Sequence, residues 1–174
     1  NSGRLIVIGT PIGNLGDLSS RARDALAIAD LVAAEDTRRT GLLLQHLGLK
    51  KPFLSYQKFN EASREAGLLD RLRSGQTVAL VTDGGMPGIS DPGERIIRAV
   101  RQQNLPVEVI PGPSAVLHAL VASGLPALPF YFGGFLPPKP GPRKKELAAA
   151  AARDHTSVYF ESPHRITRTL AEAA

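Results

Sequence analysis

The chain has no cysteine, no tryptophan, one methionine and only 5% aromatic residues. Without cysteine there can be no disulfide, thiolate nucleophile, iron–sulfur cluster or cysteine-based zinc site, a composition that fits a reducing compartment. So few aromatics leave no evident platform for stacking single-stranded bases. No apolar run approaches the roughly 20 residues needed to span a bilayer, and the N-terminus lacks a signal-peptide pattern, so a cytoplasmic protein without a membrane partner is expected. The four histidines, His46, His118, His155 and His164, form no metal motif. Asp83 and Asp91 lack the spacing of a calcium loop, and no metal is expected.

What is present suffices for a core: 43% of the 174 residues are hydrophobic, an ordinary globular proportion. The formal charge of +5 favours polyanionic partners through its long-range field. Lys and Arg outnumber Asp and Glu by 14 to 12 up to Leu125 and by 7 to 4 beyond it.

Short apolar runs alternate with segments of helical spacing. Residues 5–8, 31–34, 52–56, 78–81 and 107–110 read as strands, and helices are expected near 20–29, 41–47, 61–74, 93–103 and from 115. This alternation predicts an α/β fold with a largely parallel open sheet and flanking helices. A change of composition between Pro126 and Pro129 places a boundary after 125. It separates an N-terminal α/β domain (1–125) from an interdomain segment and an incomplete C-terminal α/β domain (126–174). That second part is expected to hold a helix from about Pro142, a strand at 157–160 and a helix beginning near Pro163. It ends inside a helical pattern, so the chain is expected to be part of a longer protein, weakly active or inactive alone.

Four strand ends carry conspicuous loops: Thr10 to Asp17, Glu35 to Thr40, Thr82 to Gly93 and Pro111 to Ser114. In a parallel sheet these gather at one edge, where ligands bind. The densest is Thr82-Asp83-Gly84-Gly85-Met86-Pro87-Gly88-Ile89-Ser90-Asp91-Pro92-Gly93, in which glycine permits close approach to the backbone and proline stiffens the path. None of the loops matches a P-loop or a dinucleotide fingerprint. Glu35 and Asp36, followed by Arg38 and Arg39, allow two readings. One is a helix-capping acid with a structural ion pair; the other is a proton-accepting or substrate-orienting carboxylate beside a phosphate-binding arginine. Asn60 and Glu61 form another polar cluster at a loop-to-helix transition, with capping as the ready explanation. Lys139, Arg143, Lys144 and Lys145 read equally as a solvated basic loop and as a contact for nucleic-acid phosphate.

Taken together, TPIGNLGD (10–17), AEDTRRT (34–40), VTDGGMPGISDPG (81–93), PGPSA (111–115), GFLPPK (134–139) and YFESPHR (159–165) carry a resemblance. Their order and spacing resemble the tetrapyrrole methylase-like, or class III, S-adenosylmethionine-dependent methyltransferases. Within that group they are similar to the bacterial enzymes that methylate the ribose 2′-oxygen of cytidine 1402 in 16S rRNA. The resemblance implies two α/β domains, a homodimer, S-adenosylmethionine in the cleft between domains, and 16S rRNA within the small ribosomal subunit as substrate. It assigns Thr10, Pro11 and Gly13 to the substrate-facing cleft. Asp83, Gly84, Gly85 and Met86 are assigned to the cofactor, with Ser114 and Ala115, and Gly133, Gly134 and Phe135 to its other wall. Glu161 and Arg165 match a second-domain motif that braces the cleft or touches substrate. Members more often have Ser-Asp-Ala-Gly-Thr-Pro at 82–87, so Met86 stands where a hydroxyl is usual and only its backbone contacts carry over.

For the methyl transfer that the resemblance implies, the position of Glu35 and Asp36 at a strand end beside basic residues makes them the candidate general bases, ahead of Asp83, with Arg38 or Arg39 holding a flanking phosphate. The competing expectations are methylation of a tetrapyrrole and a noncatalytic RNA-binding assembly module.

Overall fold

The computed structural model describes residues 3–174, which form two compact units, one up to Ser114 and one from Ala115 to Ala174. The division falls before the compositional boundary after 125, because the helix that follows Ser114 packs on a strand of the second unit.

The first unit alternates strands and helices: β1 (Leu5–Ile8), α1 (Ser20–Ile28), β2 (Leu31–Ala34), α2 (Thr37–His46), β3 (Phe53–Ser55), α3 (Glu61–Arg73), β4 (Val78–Val81), α4 (Glu94–Gln102) and β5 (Val107–Ile110). The five strands pair in the order β3-β2-β4-β1-β5, all parallel. The expected parallel open sheet is therefore present. Every residue of β1, β2 and β4 is buried, because helices cover both faces; this is why these strands read as continuous apolar runs rather than as alternating ones.

Alternate residues of each strand serve opposite layers. Leu5, Val7, Leu31, Ala33, Val78 and Leu80 pack under α3 and α4, joined by Leu68, Leu72, Ile96 and Val100. Ile6, Ile8, Val32, Ala34, Ala79 and Val81 pack against α1 and α2 through Ala22, Leu26, Leu43 and Leu44. Tyr56 is fully buried in the first layer. Its hydroxyl makes no hydrogen bond of normal geometry, and burial, followed by the charge of nearby Glu61, pushes its pKa up.

The helix ends follow local chemistry. Ser19 caps α1 by accepting the Ala22 amide at 3.1 Å. Asp36 caps α2 by accepting the Arg38 amide at 2.8 Å. α2 thus starts at Thr37 rather than at 41, and the acidic pair sits at its N-terminus, where a carboxylate also meets the favourable end of the helix dipole.

The second unit contains α5 (Ala115–Ser123), β6 (Phe130–Phe135), α6 (Pro140–Ala151), β7 (Thr156–Phe160) and α7 (Ile166–Ala173). β6 and β7 form a parallel pair with an irregularity between Phe132 and Phe135. β6 was not expected as a strand. Gly133 and Gly134 weaken its strand pattern, yet the packing needs a glycine: a Cβ on Gly133 would stand 2.2 Å from the Tyr159 ring.

Candidate functional site

From β1 the chain runs through α1 to one side of the sheet, and from β4 it runs through α4 to the other. β1 and β4 are neighbours, so their carboxyl ends flank the point where strand order reverses. A crevice at that point is where open α/β sheets bind ligands.

The two loops leaving these strands are joined directly. Thr10 and Gly85 exchange backbone hydrogen bonds of 3.0 and 2.9 Å. The buried Thr10 hydroxyl donates to the Thr82 carbonyl at 3.1 Å. Gly84 lies against the first loop, where an added Cβ would stand 3.1 Å from the Pro11 carbonyl oxygen. The loop after β5 closes in as well: a Cβ on Gly9 would meet the Gly112 Cα at 2.6 Å and Met86 Sδ at 2.7 Å. The Met86 side chain packs against the core layer under α3 and α4. Thr10, Pro11, Gly84, Gly85 and Met86 are thus brought together, and Ser114 ends this unit. Gly13 is exposed, with open space around its Cα.

The β2 loop supplies the acids. The Asp36 amide donates to Asp83 Oδ1 at 3.0 Å, and the Asp83 amide faces Glu35 Oε2 at 3.4 Å. Arg39 lies 3.9 Å from Asp83 and is largely exposed. The two consecutive carboxylates are not equivalent. Asp36 is committed to its helix and to the Arg38 guanidinium, at 2.9 Å through Nη2, and these bonds lower its pKa to about 2. Glu35 is pushed the other way, by burial first and then by the charge of Asp91. Burial likewise raises the pKa of Asp91. A group whose basicity has risen toward neutrality suits proton transfer, whereas one held near 2 does not.

Sequence reasoning missed part of this site. Gln57 Nε2 donates to the Glu35 carbonyl at 2.9 Å, and Lys58 Nζ donates to the Ser90 carbonyl at 2.6 Å. Glu61, expected to cap its own helix, instead accepts the Gly93 amide at 2.8 Å, ahead of α4. The polar cluster after Tyr56 was the available signal, but these contacts reach 22 to 32 residues along the chain.

The other candidates lie in the second unit. Ala115 opens α5, Gly133, Gly134 and Phe135 lie in β6, and Lys139 precedes α6. Lys139, Lys144 and Lys145 are exposed. Arg143 is not, and the expectation that it contacts phosphate is corrected: it is 1% exposed and forms two bonds of 2.7 and 2.8 Å with Glu172. Helical spacing turns it inward, while its neighbours in the basic run face solvent. Glu161 accepts the Thr169 hydroxyl at 2.7 Å and pairs with Arg165 at 2.8 Å, a bracing arrangement.

Among the described residues no group of three or more His, Asp or Glu side chains could hold a metal, and no helix is long and apolar enough to cross a membrane. A cavity of about 410 Å³ lined by Leu44 and Phe53 lies at the amino end of β3, away from the loops that leave the carboxyl ends of β1 and β4.

A family model described as tetrapyrrole (corrin/porphyrin) methylases matches residues 4–174. The chain belongs to that family. It is 46% identical over 170 residues to the ribosomal RNA small subunit methyltransferase I of Synechocystis sp., covering 98% of this chain and 61% of that protein. It is 44% identical over 168 residues to the protein of the same name from Thermotoga maritima, covering 97% and 75%. The chain spans about three fifths of the length of the first of these relatives. A solved cobalt precorrin-4 methyltransferase shares the fold, with a TM-score of 0.71 at 20% identity over 98% of this chain and 73% of that one.

Proposed function

We propose that the crevice between the β1 and β4 loops binds S-adenosylmethionine and belongs to a methyltransferase acting on a ribose 2′-hydroxyl of 16S rRNA, at cytidine 1402. The observation that carries the reading is the joining of Thr10 to Gly85 at the strand-order reversal, with Glu35 and Asp83 beside it. Similarity to relatives named ribosomal RNA small subunit methyltransferase I supports RNA over a tetrapyrrole as substrate.

The residues present fit the cofactor. Gly84 and Gly85 keep side chains out of the crevice floor, and the buried Thr82 hydroxyl at the end of β4 has no hydrogen-bond partner. When bound, S-adenosylmethionine supplies a methyl group activated by its attachment to a sulfonium sulfur. Glu35 accepts the proton of the attacking ribose hydroxyl, a role its raised pKa suits. Asp36 orders the site: its amide holds Asp83 and its carboxylate starts α2. Arg39, exposed beside Asp83, meets a flanking phosphate, with Lys139, Lys144 and Lys145 as further basic contacts.

A cytoplasmic homodimer working on the small ribosomal subunit belongs to the same reading. Val121 and Leu128, 79% and 86% exposed, are apolar surface that a second copy would cover.

The test is transfer of labelled methyl from S-adenosylmethionine by the full-length protein to unmodified small ribosomal subunits, with a tetrapyrrole as parallel substrate. Label confined to one ribose 2′-oxygen is expected. Label on the tetrapyrrole alone, or cofactor binding without transfer, would replace the reading with one of the competing ones.

A further inference from the structure

Gln57, Lys58 and Asn60, between β3 and α3, and Glu61 at the start of α3 strap together the two loops that hold the acids. Gln57 donates from its side chain to the carbonyl of Glu35, and its amide is held by Asn60 Oδ1 at 2.8 Å. Asn60 Nδ2 anchors the turn to the Ser55 carbonyl at 3.2 Å. Lys58 Nζ reaches the Ser90 carbonyl, and Glu61 holds the Gly93 amide. Ser90 itself has φ +64°, a left-handed conformation unfavourable for a residue with a Cβ. The long loop after β4 is thus gripped at a strained residue by a side chain from another loop.

The grip also has a charge. The groups acting on Glu35 are Asp91 and Asp83, which disfavour its ionised form, and Lys58 with the Asp83 amide, which favour it. Lys58 acts in the same sense on Asp91, whose other charged neighbour is Asp83. Across the site, Arg39 faces Asp83 and Arg38 is taken by Asp36.

We propose that Lys58 is a positioning residue for proton transfer: it holds the 82–93 loop by the Ser90 carbonyl and so presents its positive charge beside the carboxylates of Glu35 and Asp91. This rests on Glu35 as the proton acceptor of the proposed reaction. Nothing in the basic runs of the sequence marks Lys58, which stands alone between Gln57 and Phe59.

The sign of the effect is fixed. Removing a cation beside carboxylates raises their pKa, so the acid limb of the pH–rate profile moves to higher pH. In the full-length protein, Lys58→Met should move that limb to higher pH, so the loss of rate is largest near its foot and smallest on the alkaline plateau. Lys58→Arg should restore the profile. An equal loss at every pH, or an unchanged profile, would overturn the proposal.

A second measurement does not depend on turnover: ¹³C titration of the side-chain carboxylates should show the Glu35 and Asp91 midpoints rising in Lys58→Met and returning in Lys58→Arg. Unchanged midpoints would overturn the role of Lys58 whatever the reaction. If the midpoints shift but the wild-type protein methylates no RNA, the proposed function fails and the Lys58 electrostatics stand.

Discussion

Arg143 and Glu172 are joined by two hydrogen bonds 29 residues apart in sequence, with the arginine side chain almost wholly buried. The same guanidinium donates to the Pro138 carbonyl at 2.9 Å, so α6, α7 and the segment after β6 meet on one side chain. Removing one partner strands the other charge without its complement, the costly way to break such a pair. Glu172→Gln and Arg143→Met should each lower the melting temperature by roughly 5–10 °C. Lys144→Ala, from the same basic run, should leave it within about 2 °C. Thermal unfolding of the three variants checks this, and equal behaviour would contradict the structural role of Arg143.

Acid should weaken the protein through carboxylates whose pKa is depressed in the folded state. Hydrogen bonds from Arg143 hold Glu172 at about 2, against an ordinary 4.5, and bonds from Arg38 hold Asp36 at about 2, against 3.8. Each contributes stability that is complete above its ordinary value and is lost as pH falls toward 2. Glu35 and Asp91 act oppositely: their raised values make ionisation a cost to the fold that acid relieves. Denaturation midpoints measured between pH 6 and pH 2 should fall in the lower half of that range for the wild type. The fall should be shallower for Glu172→Gln.

Gly9 and Gly112 let the ends of β1 and β5 approach within the width of a missing side chain. A Cβ at either position would lie 2.6 Å from the other's Cα, and backbone atoms cannot step aside as a flexible side chain can. Gly9→Ala should cost on the order of 1–3 kcal/mol and, on the proposed function, weaken S-adenosylmethionine binding, because it pushes on Met86 in the loop proposed to hold the cofactor. Gly41→Ala, where nothing lies within 4 Å, is the control and should be neutral or slightly stabilising in its helix. Denaturant titration together with calorimetry of cofactor binding reads both effects.

The parts of the fold that were legible are those whose signal is local. β1, β2 and β4 are four-residue apolar runs because each is buried on both faces, and their edges match the observed strands. The gathering of the strand-end loops was legible for a related reason: loops that leave a parallel sheet at the same strand ends must lie together, and Gly84 and Gly85 marked the loop that the backbone approaches. β6 was hidden because Gly133, which its packing on Tyr159 requires, also erases a strand's pattern. Arg143 was misread since a basic run looks solvated until helical spacing turns one member inward. The different fates of Glu35 and Asp36 were unreadable for a deeper reason. They depend on Arg38, Asp83 and Asp91 in three dimensions, and sequence adjacency says nothing of which carboxylate is capped and which is buried.

That difference gives the most direct test of the account. Single-turnover methyl transfer to unmodified small ribosomal subunits should be compared for the wild type, Glu35→Gln and Asp36→Asn in the full-length protein, with cofactor and RNA affinities measured alongside. Loss of a general base predicts that Glu35→Gln slows transfer by about 10²-fold or more with both affinities within about threefold. Asp36→Asn, which keeps a capping side chain, should slow it by less than about tenfold. Transfer by Glu35→Gln at the wild-type rate would contradict the assignment of the crevice's chemistry to Glu35.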